Sequence, residues 1–203
     1  MKKAIIHISD LHVMSSLNDD NEPESKIDSW LNCKDRVSTD RFVDLFTDSI
    51  SRYYERHKFY LVITGDLTNK SKPDEFDELS RILDKIIKNL NLDKQNILII
   101  PGDHDVNRFQ AKLAAENDNN KKPVYEYHHE KFNFFTNFYN TFFETIGKKF
   151  LPEKSLVDKL VFHDERIVYV GFNSNFIVGA KTSPGFINID VFERDLNEIE
   201  QEY

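Results

Sequence analysis

Three short runs in this 203-residue chain carry the residue types that bind cations or move protons: Asp10-Leu11-His12, Gly65-Asp66 and Gly102-Asp103-His104-Asp105. A carboxylate and an imidazole two positions apart, as in Asp10 and His12, share one side of an extended segment and can share a cation. Carboxylates combined with imidazole suit Zn, Mn, Fe or another divalent transition ion better than calcium, which favours an all-oxygen cage. A carboxylate arriving between two such sets can bridge a pair of ions. Paired ions polarise a phosphoryl oxygen and lower the pKa of a shared water toward neutrality. The chemistry implied is phosphoester hydrolysis by a metal-activated hydroxide.

Each run follows a short apolar segment: Lys3 to Ser9, Phe59 to Ile63 and Asn96 to Ile100 read as buried strands. Helical spacing runs from Thr39 to about His57, with Phe42, Leu45, Phe46, Ile50 and Tyr53 on the buried face and Ser38 or Thr39 as N-cap. A second helix, about Asp74 to Leu90, carries Phe76, Leu79, Ile82, Leu83, Ile86, Ile87 and Leu90 as one stripe. Strand-then-helix units in series predict an α/β fold with a parallel sheet covered by helices. Ligands of such sheets gather beyond the carboxyl ends of the strands, which is where all three runs lie.

The remaining chain reads less regularly. Met14 to Ser38 is polar and predicts a long loop, pinned by Trp30 and Leu31, and residues 106 to 124 predict a second loop. Tyr125 to about Ile146 predicts one helix whose Phe132, Phe135, Phe138, Tyr139, Phe142 and Phe143 form an aromatic core face rather than a platform for bases. Leu156 to Phe162 and Ile167 to Phe172 form a hairpin turning at Asp164-Glu165, so the sheet is mixed or a second sheet begins. Residues 173 to 189 connect to a last helix with Phe192, Leu196, Ile199 and Tyr203, and Asp190 with Glu193 predicts its capping box. The expected architecture is α/β, with mixed, mainly parallel sheet layers flanked by helices.

A formal charge of -8 and a pI near 5.4 argue against a broad basic surface that coats nucleic acid. They leave a phosphate substrate open, because bound divalent ions supply positive charge locally. A lone Cys33 forms no internal disulfide and reads as a structural or incidental thiol. No apolar stretch approaches the roughly 20 residues of a membrane helix, and the apolar run after Lys2-Lys3 is too short for a signal-peptide core. A cytoplasmic protein is expected.

The wording Ile8-Ser9-Asp10-Leu11-His12, Ile63-Thr64-Gly65-Asp66-Leu67-Thr68 and Ile100-Pro101-Gly102-Asp103-His104-Asp105, in this order, resembles the first three motifs of the calcineurin-like metallophosphoesterases. The resemblance implies an αββα sandwich and a dinuclear site. Asp10 and His12 would bind the first ion, Asp66 would bridge, and Asp103 would bind the second. His104 would stabilise the phosphoryl transition state or protonate the leaving oxygen, with Asp105 orienting it. The two ions would be Mn, Fe or Zn. The substrate would be a phosphodiester, either nucleic acid or a cyclic nucleotide, with Lys70, Lys72 and Arg108 near enough in sequence to contact phosphates.

Two departures from the family pattern carry consequences. The family usually has Asn where this chain has Asp103, which adds a negative charge beside the ions. The later His and Gly-His-X-His motifs do not occur, and His7, His57, His128, His129 and His163 read as surface or structural residues. Residues 1–203 are therefore expected to be the N-terminal part of a phosphoesterase domain, with further chain or domains beyond Tyr203. The alternative function is a degenerate phosphoesterase-fold module that binds a phosphorylated ligand or a protein partner without turnover.

Overall fold

A computed structural model describes residues 2–14, 36–119, 122–179 and 185–202. The expectations for most of the 14–38 loop, including Trp30, Leu31 and Cys33, and for Tyr203 lie outside the described residues. In chain order the elements are β1 (Lys2–Ile8), α1 (Arg36–Tyr53), β2 (His57–Thr64), α2 (Pro73–Leu90), β3 (Ile97–Ile100), α3 (Arg108–Asn117), α4 (His128–Lys131), α5 (Asn133–Phe142), β4 (Leu156–Phe162), β5 (Ile167–Phe172) and α6 (Ile189–Glu202).

The first three strands form a parallel sheet in the order β1-β2-β3, in a register that pairs Ile8 with Ile63 and Thr64 with Ile100. β4 and β5 form a separate antiparallel sheet, so of the two alternatives the second sheet is the one found. Alternation along β2 and β3 explains the layering. Leu61, Ile63, Ile97 and Ile99 face a large core built with α2 and the aromatic residues of α5. Tyr60 and Leu98 face the opposite way and pack on Leu160 and Phe162 of the hairpin. Gly171 lets the hairpin lie close: a Cβ there would come within 2.6 Å of Ile100 and 2.9 Å of Leu98.

The stripe predicted for α2 is buried from Phe76 through Leu90, apart from Ile87, which is half-buried at its edge. α1 differs. It buries Thr39, Val43 and Thr47, whereas Phe42, Leu45 and Tyr53 are 41%, 59% and 83% exposed. The helix is turned to pair its polar residues with α2, through Arg81 to Asp40, Lys85 to Asp44 and Asn89 to Thr47.

The aromatic segment is not one helix. It is α4 followed by α5, with 3-10 turns at Val124–Glu126 and Glu144–Ile146, although its stripe is core throughout. The predicted 106–124 loop contains α3, which buries only Ala111 and so shows no apolar stripe. Asn107 was the signal for it, because its side chain accepts from Gln110 N as an N-cap. The cap of α6 is likewise Asn188, which accepts from the backbone of Asp190 and Val191, two residues before the expected Asp190. No helix among the described residues is long and apolar enough to cross a membrane.

Candidate metal centre

The three strand-end runs meet above the carboxyl edge of the parallel sheet. The loop after β1 lies along the loop after β2: Asp10 N donates to Gly65 O, His12 N to Asp66 O and Val13 N to Leu67 O, the last two at 2.8 Å. Gly65 N donates to Ile100 O and ties the second loop to β3. The two motif glycines are required by contact. A Cβ on Gly65, at φ 75°, would stand 3.0 Å from Gly102 Cα, and a Cβ on Gly102 would stand 2.1 Å from both Asp66 N and Asp66 Oδ1.

Asp10, His12 and Asp66 bring one donor atom each within 4.8 Å of one another, and so do Asp66, Asp103 and His104. Asp66 is common to both groups, the position the sequence reading gave to a bridging carboxylate. The means of convergence is not the one expected. Asp10, His12 and Asp66 have φ of 57°, 43° and 50°, the left-handed region that non-glycine residues rarely adopt. Their side chains gather through left-handed turns and not by the i, i+2 alternation of a continuing strand. Strain of this kind persists where surrounding contacts over-determine it, and it concentrates at functional sites.

His12 Nδ1 is buried and has no hydrogen-bond partner among the described residues, while His12 Nε2 lies 3.9 Å from Asp66 Oδ2. His12 thus has one buried nitrogen without a partner and turns the other toward a carboxylate, and imidazole with carboxylate is a donor set that a divalent transition ion takes. The residues present therefore fit such a group.

The contact expected between Asp105 and His104 is absent. Asp105 is fully buried, and its carboxylate accepts from Leu67 N, Thr68 N, Thr68 Oγ1 and Gly102 N at 2.8 to 3.1 Å. It clasps the second and third runs together, and burial pushes its pKa up to about 6 against those hydrogen bonds. His104 is oriented instead by Asn69, whose carbonyl lies 2.8 Å from Nδ1. That carbonyl can only accept, so Nδ1 carries the proton and Nε2 is left for chemistry. The His104 ring also meets His12 edge-on, with centroids 4.6 Å apart, and His104 N donates to Asp66 Oδ1.

Sequence reasoning missed Asn69, because it acts through its backbone, and gave Arg108 no specific partner. Arg108 Nη2 donates to Asp103 Oδ2 at 2.7 Å. His128 opens α4 and meets the Phe176 ring at a tilt, and His7 pairs with Thr64 Oγ1.

The family model described as calcineurin-like phosphoesterase matches residues 3–184. A protein of Bacillus subtilis (strain 168), described as an uncharacterized metallophosphoesterase-like protein, YydB, is 28% identical over 124 residues, which take in 61% of this chain and 22% of that protein. The match thus spans about a fifth of the length of this curated relative.

Proposed function

The chain belongs to the calcineurin-like phosphoesterase family, and from that premise we propose that it is a metal-dependent phosphoester hydrolase acting on phosphodiesters, as a nuclease or a cyclic-nucleotide phosphodiesterase. The observation that carries this reading is Asp66, one carboxylate shared by two convergent donor groups on a strained backbone. Asp10, His12 and Asp66 would hold one divalent ion, Asp66 and Asp103 a second, with Mn the first choice for assay. Bound there, the ions would polarise the phosphoryl group and acidify a water.

The chain's own residues do the rest. His104, held by the Asn69 carbonyl, presents Nε2 to move a proton to or from the reacting oxygens. Asp105 fixes the spacing of the second and third runs. Residues 1–203 form the N-terminal part of the domain in this proposal. A cytoplasmic location belongs to it too and rests on the single cysteine.

The test is a Mn-supplemented assay on bis-p-nitrophenyl phosphate, p-nitrophenyl phosphate, a single-stranded DNA oligomer and cyclic AMP. Diester hydrolysis that exceeds monoester hydrolysis, and is lost in Asp10→Ala, is expected. Hydrolysis of none of them would sink the enzyme reading. The Arg108–Asp103 ion pair favours a second reading, a module that binds a phosphorylated ligand without turnover, because the pair occupies part of one donor group. Metal counting separates the two: near two ions per chain supports catalysis, and zero or one supports the binding module.

A further inference from the structure

Among the described residues, Asp103 is the carboxylate of the cluster that has an arginine or lysine against it. Arg108 reaches it from the first position of α3, the arginine side chain being 35% and the aspartate side chain 29% exposed. The arginine has a firm mount. Asn107, immediately before it, caps the helix through Gln110 N, donates from Nδ2 to Ser71 O at 3.0 Å, and donates from its backbone to Lys131 O at 2.7 Å. Ser71 Oγ in turn donates to Asp105 O, so the mount is tied to the run that carries Asp103.

The charge consequence is direct. A carboxylate at position 103 adds a negative charge relative to the amide usual there, and a guanidinium at 2.7 Å cancels it while engaging one of the two oxygens. We propose that Arg108 sets the divalent-ion affinity of the Asp66, Asp103 and His104 side of the centre, lowering it below what the bare carboxylate would give. Arg108 is thus a positioning residue that acts through Asp103. The inference rests on the metal-dependent reading above.

The test is isothermal titration of Mn2+ into this chain and into Arg108→Gln, Arg108→Lys, Asp103→Asn and the Asp103→Asn/Arg108→Gln pair, with thermal melts as the check on folding. Both groups are part-exposed, so solvent screening reduces the Coulomb term, and Arg108→Gln should bind the weaker ion about five- to tenfold more tightly. Arg108→Lys keeps the charge and should stay within about twofold of the parent. Asp103→Asn removes the charged ligand itself and should weaken that ion by roughly tenfold or more. The double variant should bind that ion within about threefold of Asp103→Asn, because the carboxylate through which Arg108 acts is then gone, whereas independent effects would bring it back to about the parent's affinity.

Arg108→Gln binding no more tightly than the parent, or single effects that simply add, would overturn the proposal and leave the metal-dependent function standing. A parent chain that takes up no Mn2+ would overturn both.

Discussion

Asp66 and Lys131 each centre a polar knot beside the same sheet, and the two knots are electrically opposite. Around Asp66, the carboxylates of Asp10, Asp103 and Asp105 gather with two imidazoles, and among the described residues Arg108 pairs with Asp103. Around Lys131 there is a fully buried ammonium whose Nζ donates to the carbonyls of Tyr125, Asn175, Phe176 and Val178 at 2.6 to 3.3 Å. The second knot closes on itself, since every donor has an acceptor supplied by the chain. Among the described residues the first does not close: an imidazole nitrogen has no partner and the negative charge exceeds the positive. A knot that is complete does structural work, and one left short of positive charge is built to receive it from outside. The two are linked, because Asn175 Nδ2 donates to Pro101 O at the start of the third run, and Lys131 O accepts from Asn107 N.

The largest effect should come from Asp66→Ala. It removes the one carboxylate that both donor groups share, so Mn2+ uptake should vanish and diesterase activity should fall by at least about a thousandfold. Thermal stability should change little, because the substitution leaves no buried charge behind; a large loss of melting temperature would mean that Asp66 is a structural residue like Lys131. Gly102→Ala should come next. Its Cβ would collide with Asp66 N and Oδ1, so it should displace the shared carboxylate and cut activity roughly a hundredfold, the scale of a small misplacement of a catalytic group. Wild-type activity in that variant would show that the cluster tolerates movement.

The same contrast explains what could be read from the residues alone. The strands, α2, the hairpin and the order of the three runs follow from periodicity and turn residues, which are local properties. Asp10, Asp66 and Asp103 could be nominated as ligands because residue type and position at a strand end suffice for that, and their donor atoms do converge. What escaped depends on contacts distant in sequence or on backbone atoms. The Asn69 carbonyl that orients His104 has no side-chain signature, and Asp105 looked like an orienting acid until its hydrogen bonds to Leu67, Thr68 and Gly102 were seen. α1 misled because its polar residues pair with α2 while Phe42, Leu45 and Tyr53 stay exposed. Lys131 gave no signal, since a lysine inside an aromatic stripe reads as its solvent face.

Lys131→Met should therefore weaken the fold and not the chemistry. Carbonyls in the 175–178 segment lose a donor, and the net cost, after relief of the buried charge, should be about 2 kcal/mol in urea unfolding.

The smallest effect is the pH dependence of that cost. Burial pushes the Lys131 pKa down to about 7, against an ordinary value of 10.5. Between those limits the unfolded chain binds more protons at this residue than the folded chain does. Stability contributed by Lys131 therefore rises with pH above 7 and levels off near 10.5. The carbonyls around Nζ favour the charged form and blunt the rise, so wild type should gain about 1 kcal/mol over Lys131→Met between pH 7 and pH 9. Neighbouring groups leave this window clear: burial lowers His128 to about 4, and burial together with Asp118 raises Tyr127 from an ordinary value of 10.0. Parallel urea midpoints across that range would mean that the ammonium keeps its proton throughout, and that the carbonyl cage outweighs burial at the centre of the closed knot.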